Sequence, residues 1–299
     1  MTPQAPALSQ QPQPDRELRV EASDGALLRV LDYGEDDDPG RPTVVLAHGW
    51  TLSHRSWLPV LERLRTQLDV RVVVYDQRGH GSSTPGPTSP SVRVLGDDLA
   101  AVVSAAVPRG PLVLGGHSMG GMSVLAYAGR HRRSFRSRVR GTVLVSTAAG
   151  DLSVRRSAPE AFVMQALARM PRLPAGRAVS LFGQQHLLFG EGARAEDVAA
   201  TREQVAATHL PTIGQFYAAL GDHDEQEATA QFRGIPTDII VGAKDRLTPV
   251  HHSERLHELI KGSELTVLPR LGHMLTYEAP EVVTKALASH VHAAQSQSG

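Results

Sequence analysis

From Glu17 the chain reads "ELRVEASDGALLRVLDYG", two stretches of alternating polar and apolar residues around Asp24-Gly25, which predicts an antiparallel hairpin at the start of the fold. Alternation then gives way to short apolar runs rich in β-branched residues: "TVVLAHG" from Thr43, "VRVVVYD" from Val70, "PLVLGGH" from Pro111 and "VRGTVLVS" from Val139. Runs of that kind are strands covered on both faces, and the intervals between them are long enough for crossover helices, so a parallel sheet is expected. Apolar residues recurring at three and four predict helices over Arg55 to Gln67, Ser91 to Val107 and Met119 to His131. Two later strands, "PTDIIVG" from Pro236 and "ELTVLP" from Glu264, come with helices around His251 to Ile260 and Pro280 to His292.

Between Gly150 and about Arg233 the strand pattern disappears. This segment, 150–233, reads as a helical insertion broken at Pro171, Pro174, Gly183, Gly190 and Pro211, and it concentrates apolar residues such as Phe182, Leu188 and Phe216. The core domain is therefore expected over 17–149 and 234–293. The first 16 residues, rich in Pro and Gln, and residues 294–299 are expected to be disordered tails, because they cannot bury enough apolar surface to offset ordering entropy.

Composition narrows the function classes. The chain has 299 residues, 41% of them apolar, enough for a substantial core. Lys+Arg and Asp+Glu both total 31, so nothing in the balance points to nucleic acid or an acidic membrane, and a small-molecule ligand is expected. There are no cysteines, which excludes disulfides, thiolate zinc sites and a cysteine nucleophile. No apolar run approaches the roughly 18 residues of a transmembrane helix, and the N-terminus lacks the apolar core of a secretory signal; a cytoplasmic protein is expected. Basic charge is nearly all arginine, the lysines being Lys244, Lys261 and Lys285, a compositional hint of a GC-rich bacterial source. Oligomeric state is not legible.

Candidate chemistry centres on "GGHSMGG", residues 115–121. Gly116-His117-Ser118-Met119-Gly120 fits G-x-S-x-G where a strand ends and a helix begins, the setting of a nucleophile elbow. Flanking residues without side chains let strand and helix approach closely around a strained serine. His117 adjoins Ser118, but neighbouring residues of a strand project oppositely, so a structural role is expected for it. A base must come from elsewhere, and His273, on the loop after the last strand, can swing over the sheet edge. Asp245, a few residues past the preceding strand, is the expected orienting acid, with Asp151 as its rival. The order Ser118, Asp245, His273 is the hydrolase order. An oxyanion needs donors, expected from the backbone N–H of Met119 and, after the turn at Gly49, of Trp50; His48 is expected to be a structural hydrogen-bonder. This chemistry requires neither metal nor organic cofactor.

Together "HGW", "YDQRGHGSS", "GHSMGG", "GAKD" and the Gly272-His273 pair resemble, in order and spacing, the α/β-hydrolase fold family. The likeness runs from about residue 20 to 293 and looks most like the branch of small bacterial esterases, lysophospholipase-like lipases and cofactor-free haloperoxidases or perhydrolases. It implies a mostly parallel eight-stranded sheet flanked by helices, with the helical insertion after the sixth strand forming a cap. It also implies that Asp76, Arg78 and His80 brace the loops around the site. Relatives that use an aspartate at the position of Ser118, the epoxide hydrolases and haloalkane dehalogenases, are excluded. The implied activity is carboxylic ester hydrolysis through an acyl-serine. Perhydrolysis, lactone, thioester or carbon–carbon bond cleavage are alternatives on the same triad, and a non-catalytic binding role is a third class. Apolar residues of the insertion either line an acyl pocket or fasten it to the sheet; Phe182, Leu188 and Phe216 are carried forward as pocket candidates. The histidines of "HHSERLH" lack a zinc spacing and are read as a solvated helix face.

Overall fold

A computed structural model describes residues 12–34, 40–152, 158–176 and 187–296. Its centre is an eight-stranded sheet of order β1-β2-β4-β3-β5-β6-β7-β8. Strands β1 (Arg16–Glu21) and β2 (Leu27–Tyr33) form the expected hairpin, with Gly25 at φ +85° in its turn. Both pairings of β2 are antiparallel, with β1 and with β4 (Arg71–Tyr75). The remaining strands, β3 (Thr43–Ala47), β5 (Leu112–His117), β6 (Val139–Val145), β7 (Thr237–Gly242) and β8 (Glu264–Leu268), pair in parallel.

The uninterrupted apolar runs are explained by two-sided burial. In β3, β4 and β5 every residue is buried, and the period of two divides them between faces. Val45, Val73, Tyr75, Leu112 and Leu114 pack against helices α2 (Val92–Ala106) and α3 (Met119–Arg130). Val44, Leu46, Val72, Val74 and Val113 face α1 (Leu58–Gln67) and the C-terminal helix on the other side. Ser91 caps α2 by accepting the Val94 N–H, which fixes where that helix starts. Truncating one of these core residues to alanine should cost about 2–5 kcal/mol.

Three elements depart from the sequence reading. A short helix α4 (Arg132–Arg138) precedes β6; only Phe135 of it is buried, so its arginine-rich sequence carries no apolar periodicity. The last helix runs over Pro280–Ser296, with Ala294 buried, and so continues into the stretch expected to be a tail. Asp15 is likewise ordered, its N–H donating to the Asp32 carbonyl, and β1 begins at Arg16. Residues 1–11 and 297–299 lie outside the described residues.

Between β6 and β7 the described residues form α5 (Ala158–Leu167), α6 (Ala195–Ala207) and α7 (Leu210–Gly221), followed by a 3-10 turn, Gln226–Phe232. Pro211 sits in the first turn of α7, where a missing N–H costs nothing, so it starts a helix rather than breaking one. These helices lie over the C-terminal edge of the sheet. Gln204 of α6 accepts from the Ser53 N–H and hydroxyl, Thr208 donates to Thr51 O, and Thr212 of α7 donates to Gly79 O. After β7 come α8 (Val250–Leu259) and, after β8, the one-turn α9 (Leu275–Glu278) and α10, the C-terminal helix already described.

Candidate active site

Ser118 stands between the last residue of β5 and the first of α3, at φ 53° and ψ −121°. A non-glycine residue there stores strain of about 1–3 kcal/mol, which the surroundings must hold. They do so through its backbone: the N–H donates to Val145 O at 2.9 Å, while the carbonyl accepts from Gly121 N–H at 2.8 Å and the Thr147 hydroxyl at 2.8 Å. The flanking glycines are dictated by space. A Cβ on Gly120 would fall 2.0 Å from Ala47 O, and one on Gly116 would fall 2.6 Å from the Gly120 carbonyl carbon. Ser118 itself remains partly exposed.

Asp245 and His273 are carried by the loops after β7 and β8, beside the same edge. His273 Nδ1 lies 2.8 Å from Asp245 Oδ2, and both side chains are buried. Asp245 is saturated: Oδ1 accepts from the N–H groups of Leu247 and Thr248, and Oδ2 also accepts from the Thr248 hydroxyl at 2.9 Å. Burial by itself would raise its pKa, but the facing His273 and the hydrogen bonds from His273 and Thr248 bring it below the ordinary carboxylate value. An ionised carboxylate on Nδ1 fixes the proton there and leaves Nε2 as the acceptor. Asp151, the rival acid, instead meets the Gln226 side-chain amide at 3.2 Å on an exposed turn.

Two backbone donors complete the edge. Met119 N–H opens α3 and has no preceding helical carbonyl, and Trp50 N–H follows the turn at Gly49; neither has a backbone partner among the described residues. The side chains of Met119 and Trp50 share one apolar cluster with Phe216.

The sequence profile of the alpha/beta hydrolase fold matches residues 42–280. The chain belongs to the α/β-hydrolase fold family. This α/β hydrolase is 28% identical over 265 residues to the AB hydrolase superfamily protein YisY of Bacillus subtilis, covering 87% of this chain and 94% of that one. It is 28% identical over 283 residues to a non-heme haloperoxidase of Rhodococcus erythropolis, covering 91% and 98%. Among solved structures, a thermophilic esterase from Thermogutta terrifontis superposes with a TM-score of 0.75 at 26% identity, over 94% of this chain and 99% of that one. The protein is therefore an enzyme, and its relatives place it with hydrolases. Among the described residues no helix is long and apolar enough to cross a membrane.

The residues that brace the hydrolase site were only partly legible. Asp76 accepts from His54 (N–H at 2.9 Å and Nδ1 at 2.8 Å) and from Ser82 N–H. Arg78 grips Asp98 through Nε and Nη2 at 2.6 Å and reaches Asp24 in the hairpin turn at 2.8 Å, tying β1-β2 to the loop after β4. His48 donates Nδ1–H to Gly49 O and accepts the Gln77 N–H, which defines a neutral tautomer; burial lowers its pKa to about 4. His80 packs edge-on against Phe216 at 5.0 Å between ring centres, and burial lowers its pKa to about 3.

His117 is a buried, hydrogen-bonded structural histidine. Its Nε2 donates to the carbonyl of His273 at 2.9 Å, the rings lie 4.9 Å apart, and burial lowers its pKa to about 3, so it is a neutral prop beneath the His273 loop. Glu278 was missed altogether. Its Oε2 accepts from Gly190 N–H at 2.7 Å, and the carboxylate also accepts from the N–H groups of Gly272 (3.0 Å) and Met274 (3.1 Å), on either side of His273. Leu188, expected to line a pocket, acts here through its carbonyl, which accepts from both His273 N–H at 2.7 Å and Met274 N–H at 3.1 Å. The only sequence signal for Glu278 is an acid five residues after His273, in the short stretch between that histidine and the helix expected from Pro280.

Of the other pocket candidates, Phe216 is 2% exposed and packs against His80 and Met119, and Phe182 lies outside the described residues. A concavity of about 1450 Å³ opens between α5, α7 and the 85–91 loop with the start of α2, with Tyr217 and Ala219 on one wall. Ser118, Asp245 and His273 are not among its lining residues, although the Tyr217 ring lies 6.2 Å from that of Trp50, tilted by 46°. His251 and His252 lie with ring centres 4.1 Å apart, and among the described residues no group of three or more His, Cys, Asp or Glu could hold a metal ion.

Proposed function

We propose that the chain is a serine hydrolase of carboxylic esters with a Ser118–His273–Asp245 triad, its segment between β6 and β7 serving as a cap. The observation that carries the reading is the 2.8 Å Asp245–His273 pair on the sheet edge where the strained Ser118 turn ends β5. In this reading His273 Nε2 removes the Ser118 proton as the hydroxyl attacks the ester carbonyl, and Asp245 steadies the imidazolium. The N–H groups of Trp50 and Met119 take the oxyanion, each worth on the order of 10²–10³ in turnover. His273 then passes its proton to the departing alkoxide. Water, deprotonated by the same imidazole, releases the acid and restores Ser118.

The thermophilic esterase, similar over nearly the whole chain, supports ester cleavage; a pimeloyl-[acyl-carrier protein] methyl ester esterase of Neisseria meningitidis is 25% identical over 233 residues. Release of 4-nitrophenol from short-chain 4-nitrophenyl esters by the wild type, with a loss of about 10⁴–10⁶-fold in Ser118→Ala, is the expected result. Equal rates in the two proteins would remove Ser118 as nucleophile. A second reading, perhydrolysis with peroxide in place of water, rests on the non-heme haloperoxidase relative. Bromination of monochlorodimedone in acetate and peroxide would support it, and a rate no higher than buffer would discard it.

A further inference from the structure

Although the formal charge is zero, one stretch, "RHRRSFRSRVR", concentrates arginine around α4. Its first members, Arg130 and His131, are held by Asp97 at 2.7 and 2.8 Å. The rest have no such partner. Arg132, Arg136, Arg138 and Arg140 donate to the carbonyls of Gly129, Gln231, Gly110 and Ser137. Neither these four nor Arg109 and Arg133 form an ion pair among the described residues.

Three of them converge. Arg109, Arg138 and Arg140, with Pro108, Gly110 and Pro111 at the base, line a concavity of about 560 Å³ that contains no carboxylate and no aromatic ring. It lies where β5 and β6 begin, so it occupies the opposite sheet edge from Ser118. Arg138 is anchored at the concavity by Nε, which donates to Gly110 O at 3.0 Å, while its Nη2 is enclosed by protein. None of Arg109, Arg138 and Arg140 has a carboxylate partner among the described residues, so their positive charges add at the concavity. Burial here lowers the Arg138 pKa, and no carboxylate offsets it.

We propose that this concavity binds a small molecule through a diphosphate or a pair of adjacent phosphates. Three guanidinium groups bring three positive charges to one concavity without a carboxylate, which matches a diphosphate better than a single carboxylate. The volume suits a small ligand, and with no ring to stack on, recognition falls on the phosphates and not on a base.

Calorimetric titration of the full chain with inorganic pyrophosphate tests this. One site is expected, weakened about tenfold or more in Arg138→Gln and in Arg140→Gln. The double variant Arg133→Gln, Arg136→Gln, on the same helix but outside the concavity, is expected to shift affinity by less than about threefold. Should Arg138→Gln fail to fold, Arg109→Gln and Arg140→Gln on the rim decide the matter. No binding by the wild type, or an equal loss in the control double variant, overturns the site. So does binding to phosphatidylcholine vesicles doped with phosphatidic acid in the absence of binding to free pyrophosphate, which would make the patch a lipid-facing surface.

Discussion

The turn that carries Ser118 and the loop that carries His273 occupy one sheet edge but are secured from different distances. Around Ser118 the constraints come from Gly116, Gly120, Gly121, Thr147 and the adjoining strands. Around His273 they come from Leu188 and Gly190, in the segment between β6 and β7, and from Glu278 and His117. The first region is built into the sheet, so its geometry is settled once the strands pair. The second depends on an insertion docking correctly, so the proposed base can be displaced without unfolding the core.

The two histidines give the widest separation of these roles. His273→Gln should lower kcat for a 4-nitrophenyl ester by about 10⁴–10⁶-fold, whereas His117→Gln, which can still donate to the His273 carbonyl, should cost about tenfold or less. Comparable losses in both would mean that the adjacent histidine, not the distant one, serves Ser118. Next in size, Gly120→Ala drives a methyl group into the Ala47 carbonyl, and thermal melting should show a destabilisation of about 3 kcal/mol or more together with lost activity. A fully stable, active Gly120→Ala would contradict the rigid half of the comparison.

On the docked side, Glu278→Gln keeps the shape but removes the charge that three N–H groups share. Activity should fall about 10–100-fold, mainly in kcat, with the melting temperature changed by only a few degrees. Leu188→Ala should matter least, within about threefold, since the backbone carbonyl is what holds His273. Acid offers a different lever on the sheet side. His48, His80 and His117 stay neutral when folded, with pKa values of about 4, 3 and 3, while in the unfolded chain each titrates near its ordinary value. Below about pH 6.5 the unfolded chain binds protons that the folded one refuses. Stability should therefore fall with pH by up to about 1.4 kcal/mol per unit for each histidine, levelling only near the folded pKa values. Urea melts between pH 7 and 4 would measure it.

The same division explains what the sequence could reveal. The elbow was legible because its constraints are local: a serine on a strand-to-helix turn needs glycines at fixed neighbouring positions. Asp245 and His273 were legible from their order after the last strands, because parallel topology brings those loops to one edge. Glu278 was not, since its three partners come from residues 190, 272 and 274 and no periodicity links them. Helix α4 escaped because its arginines give no apolar face, and Leu188 was read by its side chain when its carbonyl carries the contact.

Glu278 also sets a rule for grafting. Anyone replacing the segment between β6 and β7 with that of another hydrolase would transplant helices, but the joint to be preserved is one carbonyl at Leu188 and one N–H at Gly190. The donor segment must also tolerate a residue without a side chain at position 190, where a Cβ would lie 2.2 Å from Arg270 O. Seams cut at the ends of β6 and β7 would look natural on a strand diagram and would discard that joint. Exchanges that retain 187–191 would give the incoming helices freedom to vary while the imidazole stays seated.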